Sequence, residues 1–349
     1  SIGNLPKVTS IGNSAFAGCV SLKTAGNLPK VTSIGNSAFA GCASLENIDG
    51  LKNVKSIGNR AFGLYNYYDE NNKYATVYCA ALKQIGDMPK LETIGESAFY
   101  GCSALASVGD LSSVMSIGGW AFGDCSSLVS VGDLSSVTTI GKNAFINCSA
   151  LVSVGDMSNV ISIGYGAFSN CSSLASMGDL NSVTNVETYA FFRCSSLVSV
   201  GNTSSLKSIG DNAFKACSAL ASVGNMSNVT SIGKSAFEGC RSLVSVNNLN
   251  SVTSIGQYAF LDCISLVTIG DMPNLTIIGS NAFGDPTWGT CPALKSIGEV
   301  PELETIGSGA FYGCEELETI GALRSVTEIG NSAFCNCKSL TLRVLPNSY

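Results

Sequence analysis

The chain has 349 residues, 45% of them hydrophobic and only 13% charged, with a net charge of −6. That acidity argues against nucleic acid as a partner, which needs a basic stripe to displace counterions, and no apolar run approaches the roughly 18–20 residues of a membrane span. Histidine is absent, which removes the commonest general base, the Ser-His and Cys-His nucleophile pairings and the commonest zinc ligand.

In chain order, the sequence starts inside a repeating pattern: Ser1-Ile2-Gly3-Asn4-Leu5 matches Ser130 to Leu134, and no charged-then-apolar leader opens at Ser1. An Ala-Phe pair then recurs, with its Phe at 16, 39, 62, 99, 122, 145, 168, 191, 214, 237, 260, 283, 311 and 334. The step is 23 residues except after Phe62 (37) and after Phe283 (28). Such a period signals a solenoid, whose units bury their apolar side only by stacking on their neighbours. A one-dimensional stack overrides the two or three globular domains that length alone suggests, so residues 1–349 are expected to form a single solenoid. The first repeats carry Lys7, Lys23, Lys30, Lys52, Lys55 and Arg60 against Glu46 and Asp49, a mildly basic end that reads as solvated surface.

One regular unit runs from Leu128 to Leu151. Leu128, Val131, Leu134, Val137 and Ile140 fall at every third residue, followed by Ala144, Phe145, Cys148 and Leu151. A spacing of three is neither helical nor alternating; it suits a coil that turns continually, with extended pieces at Ser130–Gly132 and Val137–Ile140. The stretch Lys142–Asn147 is predicted to form one helical or 3₁₀ turn.

The motif Val-Thr-Ser-Ile-Gly-x-x-Ala-Phe-x-x-Cys-x-x-Leu, as at Val229 to Leu243, resembles the BspA-like leucine-rich repeats, and the resemblance covers essentially the whole chain. It implies a leucine-rich-repeat arch of about fourteen 23-residue coils, with short parallel strands on the concave side and short helical or 3₁₀ turns. It also implies the broad role of that family: cell-surface or secreted protein binding and adhesion, without a cofactor. The family usually follows its concave strand with an apolar residue and Pro. Here Gly, then Asp or Asn, then Leu stands there instead, so that strand is expected to end early in a Gly-Asp turn.

The first break in the period, Gly63 to Tyr78, replaces two residues with sixteen and holds five of the chain's eleven tyrosines: Tyr65, Tyr67, Tyr68, Tyr74 and Tyr78, with Asp69 and Glu70 between them. A Tyr/Asn-rich loop on a rigid scaffold offers amphipathic contact area for a partner; equally, its tyrosines can pack back on the solenoid flank.

Through the following coils, stacking converts each repeat position into a column. Fourteen of the fifteen cysteines occupy one column and Cys335 alone lies outside it. With no convergent C-x-x-C pairs, the column reads as small buried hydrophobes whose S–H meets a backbone carbonyl; disulfides between adjacent coils are the other option. Asp87, Asp110, Asp133, Asp156 and Asp179 form a second column, continued by Asn202, Asn225, Asn248 and Asp271. Stacked carboxylates repel unless each accepts N–H bonds, becomes protonated or shares cations. The column reads as side chains closing their own Gly-Asp turns, with a row of weak calcium sites as the functional alternative. A third column, mostly Ser and Thr from Thr24 to Thr319, reads as short side chains suited to a crowded sheet. Six Asn-x-Ser/Thr sequons, at Asn147, Asn170, Asn202, Asn225, Asn228 and Asn274, arise largely from repeat composition.

The second break, Gly284 to Thr290, places Trp288 on a Pro/Gly turn, where it either covers a coil edge or meets a partner. Beyond it, Leu340-Thr-Leu-Arg-Val-Leu-Pro turns to alternation and reads as a terminal strand or a junction. Neither end resembles a cap, so the chain reads as part of a longer protein or as packing end to end with a partner. Function therefore points to a non-enzymatic binding or adhesion module at the cell surface or outside the cell. The alternative is a structural repeat protein of a shell, filament or matrix. A protein is the expected partner, a glycan and end-to-end or lateral self-association are further candidates, and neither nucleic acid nor membrane insertion is expected.

Overall fold

A computed structural model of the chain describes residues 1–68 and 71–341; Asp69, Glu70 and most of the expected terminal strand lie outside them. The chain winds into a parallel β-solenoid of about fourteen coils, one per Ala-Phe pair. The coils group into two compact units, one of Ser1–Val183 with Tyr189–Leu197, the other of Thr184–Thr188 with the residues from Val198 on.

The period-three spacing fixes what faces inward. In the unit from Leu128 to Leu151, all nine of the positions predicted to point inward are buried. A residue two places along from any of them meets solvent, and the chain must turn at nearly every third residue to keep this up. Each coil contributes a two-residue strand ending in Ile or Val. In the first unit these run from Ser10–Ile11 through Ser33–Ile34, Ser56–Ile57, Thr93–Ile94, Ser116–Ile117 and Thr139–Ile140 to Ser162–Ile163. In the second they run from Asn185–Val186 to Glu328–Ile329. Pairing is parallel and in register, so Ser116 lies beside Thr139, Ile117 beside Ile140, and like residues stack on like.

A second, weaker ladder follows the Ser/Thr column. It has strands of two to four residues in the outer coils (Thr24–Asn27, Asn47–Asp49 and Gln84–Ile85; Ser245–Val246 to Thr319–Ile320). Where Val or Met and then Gly-Asp follow, at Ser107, Ser130, Ser153 and Ser176, pairing shrinks to one residue per coil. Gln84–Ile85 and Thr268–Ile269 keep two residues ahead of the same Gly-Asp pair, so that pair alone does not end the strand.

The expected helical or 3₁₀ turn is not found: among the described residues there is no helix. Alternate N–H groups of the Ala-Phe stretch leave their own coil. Asn143, Phe145 and Asn147 donate to Tyr165, Ala167 and Ser169 of the next coil, whereas Ala144, Ile146 and Cys148 donate three residues back. Asn143 and Asn147 adopt left-handed backbone (φ 54° and 60°), which prevents a right-handed helical turn from propagating. The stack thus satisfies its backbone between coils, and each coil depends on its neighbours.

The core is a run of parallel-stacked rings. Within the first unit the Phe side chains from Phe16 to Phe191 stand in file, and within the second those from Phe214 to Phe334 do so. Successive centroids are 5.0–5.4 Å apart. Offset stacking at that separation adds to the burial of each ring.

Candidate functional site

The largest departure from the repeat is a hairpin. Tyr65–Tyr68 pairs antiparallel with Tyr74–Val77, placing Tyr65 opposite Val77 and Tyr68 opposite Tyr74. The Thr76 hydroxyl donates to Asn66 Oδ1 at 2.8 Å across the pair. Two of its tyrosines anchor it. Tyr65 lies over Gly18 and Gly41, and a β-carbon at Gly41 would stand 2.5 Å from Tyr65 Cβ. Tyr78 lies against Gly101 in the same way. All three glycines have left-handed backbone, at φ 72°, 69° and 77°. In other coils Asp124, Asn147, Asn170 and Arg193 occupy this column with the same backbone sign, and their side chains would fill the seat. The remaining tyrosines stand in solvent: Tyr67 is 38% exposed, Tyr68 67% and Tyr74 57%. Tyr68 and Tyr74 meet edge to face at 5.7 Å. Tyr65 and Tyr78 thus pack back on the solenoid, while Tyr67, Tyr68 and Tyr74 stay exposed.

In the second insertion, Gly284–Asp285 pairs with Gly289–Thr290. Buried Asp285 organises the turn, accepting the N–H groups of Thr287 (2.8 Å) and Trp288 (3.0 Å) with one oxygen and the Asn281 amide with the other. Trp288 does not cover a coil edge. It is 72% exposed, because the turn is closed by Asp285 and leaves the indole outside.

Several members of the Asp/Asn column close their own turns, while Asp271 accepts the Glu299 N–H of the next coil. Asp110, Asp133 and Asp156 each accept the N–H two residues on at 2.8 Å, and Asp133 and Asp156 also accept that residue's hydroxyl. Asn202 and Asn225 make the same bond at 3.1 and 3.0 Å. The Ser112 N–H holds the Asp110 carboxyl below its usual range. Among the described residues no three His, Cys, Asp or Glu side chains gather as a metal site, and Asp87 and Asp179 likewise belong to no such group.

The cysteines are free thiols, buried in all but the outermost coils. From Cys42 onward, S–H groups donate to the Phe carbonyl of the preceding coil, as Cys148 does to Phe122 at 3.0 Å and Cys263 to Phe237 at 3.1 Å. Several sequon amides are also engaged: Asn147 Nδ2 donates to Asp124, Asn170 Nδ2 to Asn147, Asn228 Nδ2 to Ser204 and Asn274 Nδ2 to Asn250.

Sequence reasoning missed a second group of aromatic residues in the first unit. Tyr78 touches Tyr100 (6.0 Å), and Tyr100 touches Trp120 (5.6 Å). Two coils beyond Trp120, Tyr165 touches Tyr189 and Tyr189 touches Phe192, both at 5.5 Å. Apart from Tyr78, these residues sit at ordinary repeat positions, so a search for breaks in the period passes over them. The available signal was column identity, since Trp120 and Tyr189 stand where most other coils have Ser, Asn or Gly.

Among the described residues no helix is long and apolar enough to cross a membrane. Curated proteins gave no match to the sequence. Among solved structures, the chain is similar to a leucine-rich repeat protein from Bacteroides ovatus, with 27% identity over 94% of this chain and 91% of that one and a TM-score of 0.60. It is also similar to a leucine rich cell surface protein from Faecalibacterium prausnitzii, with 30% identity over 82% of each chain and a TM-score of 0.46. The BspA type leucine rich repeat region matches at residues 2–77, 69–198, 178–287 and 284–349, so the motif, the stacked coils and the matched profile agree along the chain: it belongs to the BspA-type leucine-rich repeat family.

Proposed function

We propose that the chain is a non-enzymatic protein-binding module of the adhesion type, acting at a cell surface or outside the cell. Leucine-rich repeats are in general interaction scaffolds. The observation that carries the reading here is the docked hairpin: Tyr65 and Tyr78 are seated on glycines, while Tyr67, Tyr68 and Tyr74 are held in solvent. Exposed tyrosines fixed on a rigid element offer large contact area at low entropic cost. Trp288 supplies a second exposed anchor on a closed turn. The surface setting is the one that the family resemblance implies.

The test replaces Gly63–Tyr78 by two residues, the length that a regular coil uses. Capture of surface proteins by the full chain should be lost with the hairpin, and equal capture by both forms would remove the hairpin from the reading. A structural role in an assembly is the second reading, favoured by the smooth in-register stacking of near-identical coils. Light scattering separates the two: ordered self-assembly supports the structural role, and a stable monomer opposes it.

A further inference from the structure

We propose that the Ala-Phe turn face of the first unit, around Trp120, Asn143 and Tyr189, binds an extended β-linked polysaccharide. This site is separate from the exposed hairpin tyrosines and does not depend on their role.

Three observations meet there. The first is a pair of aromatic platforms, Tyr100 with Trp120 and Tyr165 with Tyr189, on either side of the coil that holds Asn143. Trp120 and Tyr189 are half-buried, so their rings are held by packing and still reach solvent. Both have left-handed backbone, φ 57° and 58°. That conformation is costly for a bulky side chain, and most other coils fill the column with Ser, Asn or Gly, Arg60 and Tyr258 being the exceptions.

The second observation is a line of polar groups between and beside the platforms. Asn170 donates to Asn147 at 2.8 Å and Asn147 to Asp124 at 2.7 Å. Lys142 sets its ammonium over Tyr165, 5.1 Å from the ring centre, and Arg193 lies over Phe192. Rings flanked by carboxylate, carboxamide and cationic donors suit a ligand with apolar C–H faces and hydroxyl edges. A proline-rich peptide would use the rings but leave the polar line unanswered.

The third is an unmet hydrogen bond. Asn143 is only 4% exposed and its Oδ1 has no partner. The oxygen abuts Gly166 in the next coil, where any β-carbon would collide with it. Buried acceptors are almost always paired; this one is too enclosed for a ligand to reach where it stands, and it gains a partner when Asn143 turns away from Gly166 toward a hydroxyl lying over the coil. Coil spacing supports an extended chain: the rings of the core repeat at 5.1–5.4 Å in these coils, close to the rise per sugar of a β-1,4-linked pyranose chain. One sugar per coil places faces on both platforms and edges over the Asn143 coil.

The experiment uses the full chain carrying Trp288→Phe, which leaves Trp120 as the one indole. Its emission is followed during titration with cellohexaose, chitohexaose, α-linked maltohexaose and a proline decamer. A saturable shift with a β-linked hexaose and none with maltohexaose is expected. By calorimetry, Trp120→Asn in the native background should weaken that binding about tenfold or more, with Asn143→Ser also weakening it. Both replacements occur naturally in the column, as at Asn212 and Ser235, so the unfolding midpoint of each variant is measured alongside to show that the fold persists. No response to either β-linked sugar, equal response to maltohexaose, response to the proline decamer alone, or undiminished binding by Trp120→Asn overturns the proposal.

Discussion

Cys148 donates its S–H to the carbonyl oxygen of Phe122 in the preceding coil, at 3.0 Å, and the same bond recurs along the column. Burial pushes most of these thiols up from the ordinary value of 9.0, Cys337 to about 11 and Cys102 and Cys148 further, while a hydrogen bond with Cys79 lowers Cys42. A raised folded pKa means the folded chain holds the proton more tightly than the unfolded one. The contribution is therefore complete below about pH 9 and is lost as pH rises through the folded values. Melting midpoints should be level on this account from pH 7 to 8.5 and should fall steeply by pH 10.5. A midpoint unchanged across that range would contradict the buried thiol ladder.

Accessibility gives an independent check on the same column. Cys19 and Cys335 are exposed and Cys337 is half-buried, while the others are buried. A thiol reagent should react quickly at two positions and more slowly at a third. The rest should react only in denaturant, since burial suppresses the reactive thiolate. Rapid reaction of many thiols in the native chain would be incompatible with this packing.

Phe145 is fully buried, with Phe122 and Phe168 stacked on its two faces at 5.2 Å. Phe145→Ala should destabilise by about 3–5 kcal/mol, the range for large cavities in close-packed cores. In a stack held by nearest neighbours the damage should be local. Hydrogen exchange should accelerate most in the coils carrying Phe122, Phe145 and Phe168; uniform acceleration from Phe16 to Phe334 would show that cooperativity extends much further.

Gly41 and Gly239 occupy the same column with the same backbone sign, but only Gly41 lies under Tyr65; at Gly239 the nearest atom to an added β-carbon is 3.6 Å away. Asparagine tolerates that backbone, as Asn147 and Asn170 show. Gly41→Asn should dislodge the hairpin and raise the rate of tryptic cleavage after Lys73 several-fold, whereas Gly239→Asn should leave it unchanged. Equal rates in the two variants would mean that the seat does not hold the hairpin.

Asp133→Asn should be close to neutral, because Asn202 and Asn225 make the same turn-closing bond. Asp133→Ala should cost roughly 0.5–2 kcal/mol, as loss of a side-chain acceptor for a backbone N–H does elsewhere. Each variant is compared by thermal denaturation with calcium and with chelator. A calcium-dependent midpoint in the parent that Asp133→Asn abolishes would reinstate the row of cation sites.

The period and the every-third spacing of Leu128, Val131, Leu134, Val137 and Ile140 made the coil legible from sequence, because burial follows residue size wherever like stacks on like. The Cys and Asp columns were legible for the same reason: one environment repeated many times limits what each residue can do. The Ala-Phe turn was not. Its N–H groups alternate between their own coil and the next one, and no local pattern reveals a bond to a residue 22 positions away. The exposure of Trp288 was not legible, because it follows from Asp285 closing the turn. Trp120 and Tyr189 were passed over because their meaning lies in neighbours one or two coils away.

The glycines beneath Tyr65 and Tyr78 also bear on how such an array can change. Most coils of one length could be duplicated, deleted or exchanged with little penalty. The coils carrying Gly18, Gly41 and Gly101 have given up that interchangeability. Moved beside coils bearing Asp124 or Asn147, the hairpin would find its seat filled. A tandem array that shuffles freely elsewhere would have to inherit this stretch as a block.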